Sequence, residues 1–493
     1  MAQAASRFTP SPPADAGGFW LCKLTFVLTP VRKHQPKTQD PRPKTQDFVP
    51  RPGRLPSNGL LLRLLDDKER ITHCRPRSAV KENLYTHTLE NGLVLVAEAM
   101  PWLDSVACSF RVPGGCQYDP PQRLGTAELT CEMVFRGAGR RDSQGLIHFL
   151  DGLGAQYGES VATAGTHFGV ALLAQSLPEV LPLYADVLRR PWLPEDKLDQ
   201  AREVVLQEVR AVEDEPAHKV LQELRRLHYP EPLGRPSHGT LESVPQVTLE
   251  DVRQFHARYY QPQGAIFGVA GRFDWPQLVQ RIEEHFGSWQ GEPLPPVELH
   301  PAGEPYRHIE QPSQQTHVAV AFPTVPYRHE DYFPAAVAAS VLGRGMSSRL
   351  FTQVRERRGL CYAVWASYHT LRDQAAVLCY AGTTADRAQQ TLDVMTQEIH
   401  RLAEGVTAEE LQRVKAQVKS RLVMQQESSS SRAGTLVGDY YHLGRVRSLQ
   451  EVQQRMDRLT LDEVNHYLAQ HPPRVTTVVT LGPSPLEVDL GVS

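Results

Sequence analysis

The chain has 493 residues, 41% apolar and 22% charged, with 39 prolines and 34 glycines. This composition excludes a collagen-like, coiled-coil or wholly disordered chain, and a net charge of −3 gives no general attraction to nucleic acid or an anionic membrane. The average conceals an asymmetry, because residues 1–81 hold 15 Lys and Arg against 6 Asp and Glu, while the remainder holds 38 against 50.

The basic head, residues 1–81, contains eleven prolines and a direct repeat, Pro36-Lys-Thr-Gln-Asp40 and Pro43-Lys-Thr-Gln-Asp47. Such a stretch buries too little apolar surface to offset its ordering entropy, so it reads as a disordered, dispensable tail or an upstream start. The apolar patch Gly18 to Leu28 is interrupted by Lys23 and lacks a small-residue cleavage site, which makes a poor secretory signal. No apolar run approaches the roughly 18 residues of a membrane-spanning helix. Seven scattered cysteines without a C-x-x-C pair read as reduced thiols. These features predict a soluble protein, cytoplasmic rather than periplasmic, with the compartment otherwise open.

From Leu84 the pattern changes. Tyr85 to Glu98 alternates around Asn91-Gly92, predicting a hairpin, and Ser105 to Val112 predicts a further strand closed by Pro113-Gly114-Gly115. Helical spacing follows over Gly125–Phe135 and Ser143–Leu153, then a strand over His167–Ala174. One long helical stretch is predicted from Pro194 to about Leu227. Ser428-Ser-Ser-Ser431 reads as a turn or a helix start, after a charged helix over Glu409–Glu427.

The second half repeats this grammar. Thr248-Leu-Glu-Asp-Val252 recurs as Thr460-Leu-Asp-Glu-Val464, an offset of 212, and Glu195-Asp-Lys-Leu198 recurs as Ala408-Glu-Glu-Leu411, an offset of 213. Each helix opening precedes an apolar strand, Ala265–Ala270 or Val475–Leu481. The fold class expected is α+β: two homologous α/β domains, each a mixed sheet packed with helices. The expected divisions are 82–290, a Pro-rich linker over 291–305, and 306–493.

The predicted helix Arg123-Leu-Gly-Thr-Ala-Glu-Leu-Thr-Cys-Glu-Met-Val-Phe-Arg-Gly137, with the duplication around it, resembles the pitrilysin/insulinase family of zinc metallopeptidases. The resemblance covers most of residues 82–485 and implies a half-clamshell arrangement of the two domains. That family carries H-x-x-E-H on this helix, two histidines as zinc ligands and a glutamate as general base, with a distal glutamate as third ligand. The matching positions here are Glu128, Cys131 and Glu132, and the distal position is Glu208, 76 residues beyond Glu132. Three carboxylates without a histidine form a hard-oxygen set, better suited to weakly held Ca²⁺ or Mg²⁺ than to zinc. Cys131, flanked by Glu128 and Glu132, is a poor base and a poor nucleophile. No catalytic residue, metal ligand or cofactor is therefore expected in this chain, and zinc is expected only in a partner subunit. His148, His167, His218 and His228, and His317, His329 and His369 in the second half, show no ligand spacing and read as surface or core residues.

Residues 343–362, Gly-Arg-Gly-Met-Ser-Ser-Arg-Leu-Phe-Thr-Gln-Val-Arg-Glu-Arg-Arg-Gly-Leu-Cys-Tyr, resemble the second-domain signature of the same family. There an arginine and a tyrosine seven residues later reach the substrate; here they are Arg355 and Tyr362. A guanidinium and a phenol can both donate to a peptide carbonyl and to a developing oxyanion. From the residues alone, Arg355 could equally be part of a solvated helix end and Tyr362 the buried start of a strand. The only glycine cluster nearby is Gly343-Arg-Gly345, so the chain resembles less the glycine-rich non-catalytic subunit of the mitochondrial processing peptidase than one chain of the bacterial two-subunit members.

The resemblance implies a catalytically inactive subunit that binds extended peptides and pairs with a zinc-bearing family member, or with a second copy of itself. The alternatives are an active metalloendopeptidase with an unusual metal site and a purely structural core-type subunit. No nucleic acid partner and no membrane span are expected.

Overall fold

A computed structural model describes residues 83–490, so the expectations placed on the basic head lie outside the described residues. The first half runs β1 (Asn83–Thr88), β2 (Val94–Ala99), β3 (Ser105–Val112), α1 (Thr126–Val134), the short hairpin β4 (Gly137–Ala138) and β5 (Arg141–Asp142), and α2 (Ser143–Gly152). It continues with β6 (Gln156–Ala162), β7 (Gly165–Leu173), α3 (Leu177–Arg189), α4 (Leu198–Asp214), α5 (Pro216–His228), α6 (Leu249–Tyr259), β8 (Ile266–Gly271) and α7 (Trp275–Phe286). The second half runs β9 (Tyr306–Glu310), β10 (Gln315–Thr324), α8 (Tyr332–Gly343), a π-helical turn (Phe351–Glu356), β11 (Cys361–Thr370) and β12 (Ala375–Thr384). It ends with α9 (Ala388–Arg401), α10 (Ala408–Gln425), α11 (Ser429–Leu443), α12 (Leu449–Arg458), α13 (Leu461–Gln470) and β13 (Thr477–Gly482).

The architecture is mixed α/β, with two sheets packed against helices. The first sheet has the order β1-β2-β8-β3-β7-β6 and the second β9-β13-β10-β12-β11. Without β1, the two orders superimpose strand for strand, including the single parallel pair, β2 with β8 and β9 with β13. In the first, Val94 faces Ile266; in the second, Tyr306 faces Val478. Both members are displaced by the same interval (306 − 94 = 478 − 266 = 212), which matches the sequence repeat. The repeated Thr-Leu pairs open α6 and α13, where Thr248 and Thr460 each form a capping box, with Asp251 and Glu463 respectively.

The long helix expected from Pro194 to Leu227 breaks at Glu215. Pro216 lacks an N–H and starts α5 at its first turn, so the chain changes direction there. The break lets α5 cross to the other half: Val220, Leu221 and Leu224 pack with Ala319, Leu378, Val479 and Leu481 of the second sheet. Its counterpart α11, started by Ser428, whose side chain accepts from the Ser431 N–H, packs Ala433, Leu436 and Val437 on Val96, Ala107 and Ile266 of the first sheet. Each sheet is thus covered on one face by a helix from the opposite half. β6 is one edge of the first sheet and β11 the corresponding edge of the second, and both edges matter for the candidate site.

Candidate functional site

The site begins with the cap of α1. Gly125 holds φ 93°, a left-handed conformation that favours glycine, and Asp119 accepts hydrogen bonds from the Gly125 and Ala127 N–H groups at 2.7 and 2.8 Å. Burial pushes the Asp119 carboxyl up to about 7 despite those bonds. The segment carrying His238 lies directly on this cap: a Cβ on Gly125 would stand 2.9 Å from the His238 carbonyl oxygen, and one on Gly239 would overlap the Leu124 carbonyl. Two glycines therefore set how closely the His238 turn and α1 approach.

On α1, Glu128 is only 9% exposed and Cys131 is fully enclosed. Burial first, then the charges of Glu128, Glu159, Glu132 and Glu208, hold the Cys131 thiol well above its ordinary range. It is neither a base nor a thiolate near neutral pH. Glu132 is paired one turn along the helix with Arg136. Of the three carboxylates Glu128, Glu132 and Glu208, Glu132 is therefore the one held by a neighbouring guanidinium.

The sequence reading did not single out His238, and His238 completes the cluster. Its Nδ1 lies 3.3 Å from Glu128 Oε2 and 3.6 Å from Glu208 Oε2, and the three donor atoms lie within 4.8 Å of one another. The hard-oxygen expectation needs correcting in this respect: an imidazole sits with the two carboxylates. The resemblance to the family motif points to Glu128, and the family's distal-ligand separation points to Glu208 on α4. His238 lies on an irregular turn after α5, where no periodicity exists to read; its sequence signal is the run Gly234-Arg-Pro-Ser-His-Gly239. Glu208 is pushed up to about 7, first by burial and then by Glu128, with His238 opposing. Glu159, on the edge strand β6, is also raised to about 7, by its surroundings first and then by Glu132, Glu128 and Glu208.

Arg355 and Tyr362 occupy the second half. Arg355 lies in the π-helical turn, its guanidinium 4.9 Å from the centre of the Phe351 ring. Tyr362 is 44% exposed, so it is not the buried strand start that was one reading of its position. It is the extra residue of a β-bulge: Cys361 pairs with Thr383 and Ala363 with Gly382, leaving Tyr362 outside the register of edge strand β11. Its hydroxyl donates to Gln315 Oε1 at 3.2 Å, and its ring occupies space that a side chain on Gly382 would claim. Partial burial first, and Glu215 among the further causes, hold the phenol above its usual range. Among the described residues, no hydrogen bond or ion pair joins Arg355 or Tyr362 to Glu128, Glu208 or His238.

The histidines read as surface or core residues include four that are enclosed: burial lowers His167 and His369 to about 3 and His228 and His317 to about 4. The five described cysteines are buried and, among the described residues, none is joined in a disulfide. Among the described residues, no helix is long and apolar enough to cross a membrane.

Two family models match consecutive parts of the chain. Residues 94–241 match insulinase (peptidase family M16), and residues 246–418 match the peptidase M16 inactive domain. An uncharacterized zinc protease of Rickettsia felis is 27% identical over 413 residues, covering 83% of this chain and 99% of its own length. The uncharacterized zinc protease YmxG of Bacillus subtilis is 27% identical over 386 residues, covering 77% and 93%. Among solved structures, a protease from Helicobacter pylori aligns with a TM-score of 0.74 at 21% identity, over 81% of this chain and 99% of that one. A peptidase M16 inactive domain from Pseudomonas fluorescens aligns at 0.72 and 22% identity, over 83% and 100%.

Proposed function

The chain belongs to the insulinase family, peptidase family M16, and from that premise we propose that it is a non-catalytic subunit that binds extended peptides and works beside a zinc-bearing family member. The observation that carries this reading is Cys131. At the position where the family motif has its general base stands a fully buried thiol, raised by burial and by Glu128 so that it stays protonated. A protonated thiol takes no proton from a water molecule, so hydrolysis lacks the group that would activate its nucleophile. Glu132, at the second histidine position, is committed to Arg136.

The second half favours the positive part of the proposal. Tyr362 presents its phenol from a bulge at an open sheet edge, and Arg355 lies on the turn that leads into that strand. An extended peptide that adds to a sheet edge offers its carbonyls to such donors. In this reading the chain contributes Arg355 and Tyr362, and its partner contributes metal and base.

Co-expression with a zinc-bearing M16 chain of the same organism tests the proposal. The two should co-purify, and peptide cleavage by the pair should exceed that of the partner alone. Arg355→Ala should remove the gain while leaving the pair assembled. Activity indifferent to this chain and to Arg355 would refute it.

A further inference from the structure

We infer that the cavity between α8, α10 and α12 binds a small branched carboxylate, its apolar body among the side chains there and its charge on Arg344. The walls are Phe333, Ala336 and Val337 of α8, Val414 and Val418 of α10 and Met456 of α12. Ala366 of β11 lies behind them, and Gly343 lets the end of α8 reach that strand, because a Cβ there would overlap the Ala366 backbone. The free volume is about 40 Å³. A water molecule needs about 10–15 Å³ on this measure, so the space holds roughly three waters. That suits a branched group of a few carbons and excludes a long acyl chain.

Arg344 is the one charged residue in this lining. It is half-buried at the C-terminal end of α8, and among the described residues its guanidinium joins no hydrogen bond or ion pair. Arg349, five residues on, shows the contrast: it reaches both oxygens of Glu410, at 2.8 and 2.9 Å. Burial lowers the Arg344 pKa from its ordinary value, and the opposing group is Tyr332, a phenol that burial holds well above its usual range and so uncharged. A guanidinium keeps its proton even so, and a partly buried cation without an anion is costly. A carboxylate matches its planar fork with two parallel bonds. The Ser340 hydroxyl in the same lining already donates to the Ala336 carbonyl at 2.7 Å, and the Tyr368 hydroxyl donates to the Val325 carbonyl. Recognition of a polar head therefore falls to Arg344, and the apolar walls select what the head is attached to.

Neither Arg355 nor Tyr362 lines this cavity, so the site stands whether or not the chain works beside a partner. A free short-chain acid and the C-terminal residue of a peptide share the required chemistry.

The test uses the full purified chain, titrated calorimetrically with 3-methylbutanoate, with its amide and with acetate. The branched acid should bind at one equivalent. The amide lacks the charge and acetate lacks the body, so each should bind at least about tenfold more weakly. Arg344→Gln should abolish the preference for acid over amide, with the unfolding temperature unchanged or raised, since no ion pair within the chain is lost. Ala336→Leu fills the cavity, leaves Arg344 in place and should weaken the acid at least about tenfold. Two N-acetylated tetrapeptides ending in leucine, one with a free C-terminus and one amidated, assign the source of the ligand. Binding of the free-ended peptide alone of the two supports a peptide end, and binding of the small acid but neither peptide supports a free acid. No saturable binding of the acid or the free-ended peptide, equal binding of acid and amide, or an affinity unchanged in Arg344→Gln would overturn the inference.

Discussion

Arg432 of α11 and Glu98 of β2 form a buried ion pair between the two halves of the chain, 334 residues apart in sequence. Arg432 is 1% exposed and Glu98 7%, and a second guanidinium nitrogen of Arg432 donates to the Arg447 carbonyl at 2.8 Å. The pair lies where a second-half helix covers the first sheet, so it fixes the register of that exchange. Arg432→Ala leaves a buried, unpaired carboxylate, and the expected loss is about 3–5 kcal/mol in chemical denaturation. Combining Arg432→Met with Glu98→Leu should recover most of it, because no charge is then left stranded.

The same interface depends on a missing side chain. A Cβ on Gly268, in β8, would stand 2.6 Å from the Ala433 carbonyl oxygen and 2.6 Å from Val437 Cγ2 of α11. The backbone oxygen cannot swing away, so the helix itself must lift. Gly268→Ala should cost about 1–3 kcal/mol, measured by urea unfolding.

Buried histidines predict a loss of stability in acid. His369 lies against the Tyr229 hydroxyl at 2.6 Å, and burial, with Arg225 and His228 adding, lowers it from 6.5 to about 3. His228 and His317 are lowered to about 4 by burial. A folded pKa below the unfolded one means that the unfolded chain takes up the proton first. Stability is therefore full above about pH 6.5 and falls progressively toward pH 3–4, each such histidine contributing a slope of about 1.4 kcal/mol per pH unit. His369→Gln keeps an acceptor for Tyr229 and should flatten the slope between pH 6 and pH 4 in denaturation curves.

Tyr362 is held by the bulge, by Gln315 and by the open space over Gly382. In the complex with a zinc-bearing family member, Tyr362→Phe should lower kcat by about tenfold or more with little change in KM, as expected of a donor used mainly in the transition state. Gly382→Ala should produce a similar loss by displacing the ring, although residue 382 touches no substrate. An unchanged kcat in both variants would remove Tyr362 from the reaction.

Much of this architecture is written in local patterns. The Asn91-Gly92 hairpin, the Thr248 and Thr460 caps and the 212-residue interval are short-range or periodic signals, and each reappears in the elements it foretells. The break at Glu215-Pro216 is equally local, yet its result is not: that α5 leaves its own sheet to cover the other depends on packing between distant segments. His238 escapes the sequence for the same reason. It sits on a turn without periodicity, and only its approach to Gly125 and Leu124 brings it to Glu128 and Glu208. The state of Glu132 is likewise decided by a neighbour, Arg136, which a motif comparison passes over.

The central claim is that this chain supplies no hydrolytic machinery of its own. The direct measurement is cleavage of an unstructured peptide by the purified chain alone, at saturating zinc and again with excess chelator. The account predicts no cleavage above the chelated control, because the buried Cys131 thiol cannot activate water. Multiple-turnover, chelator-sensitive cleavage that is lost in His238→Ala would contradict it.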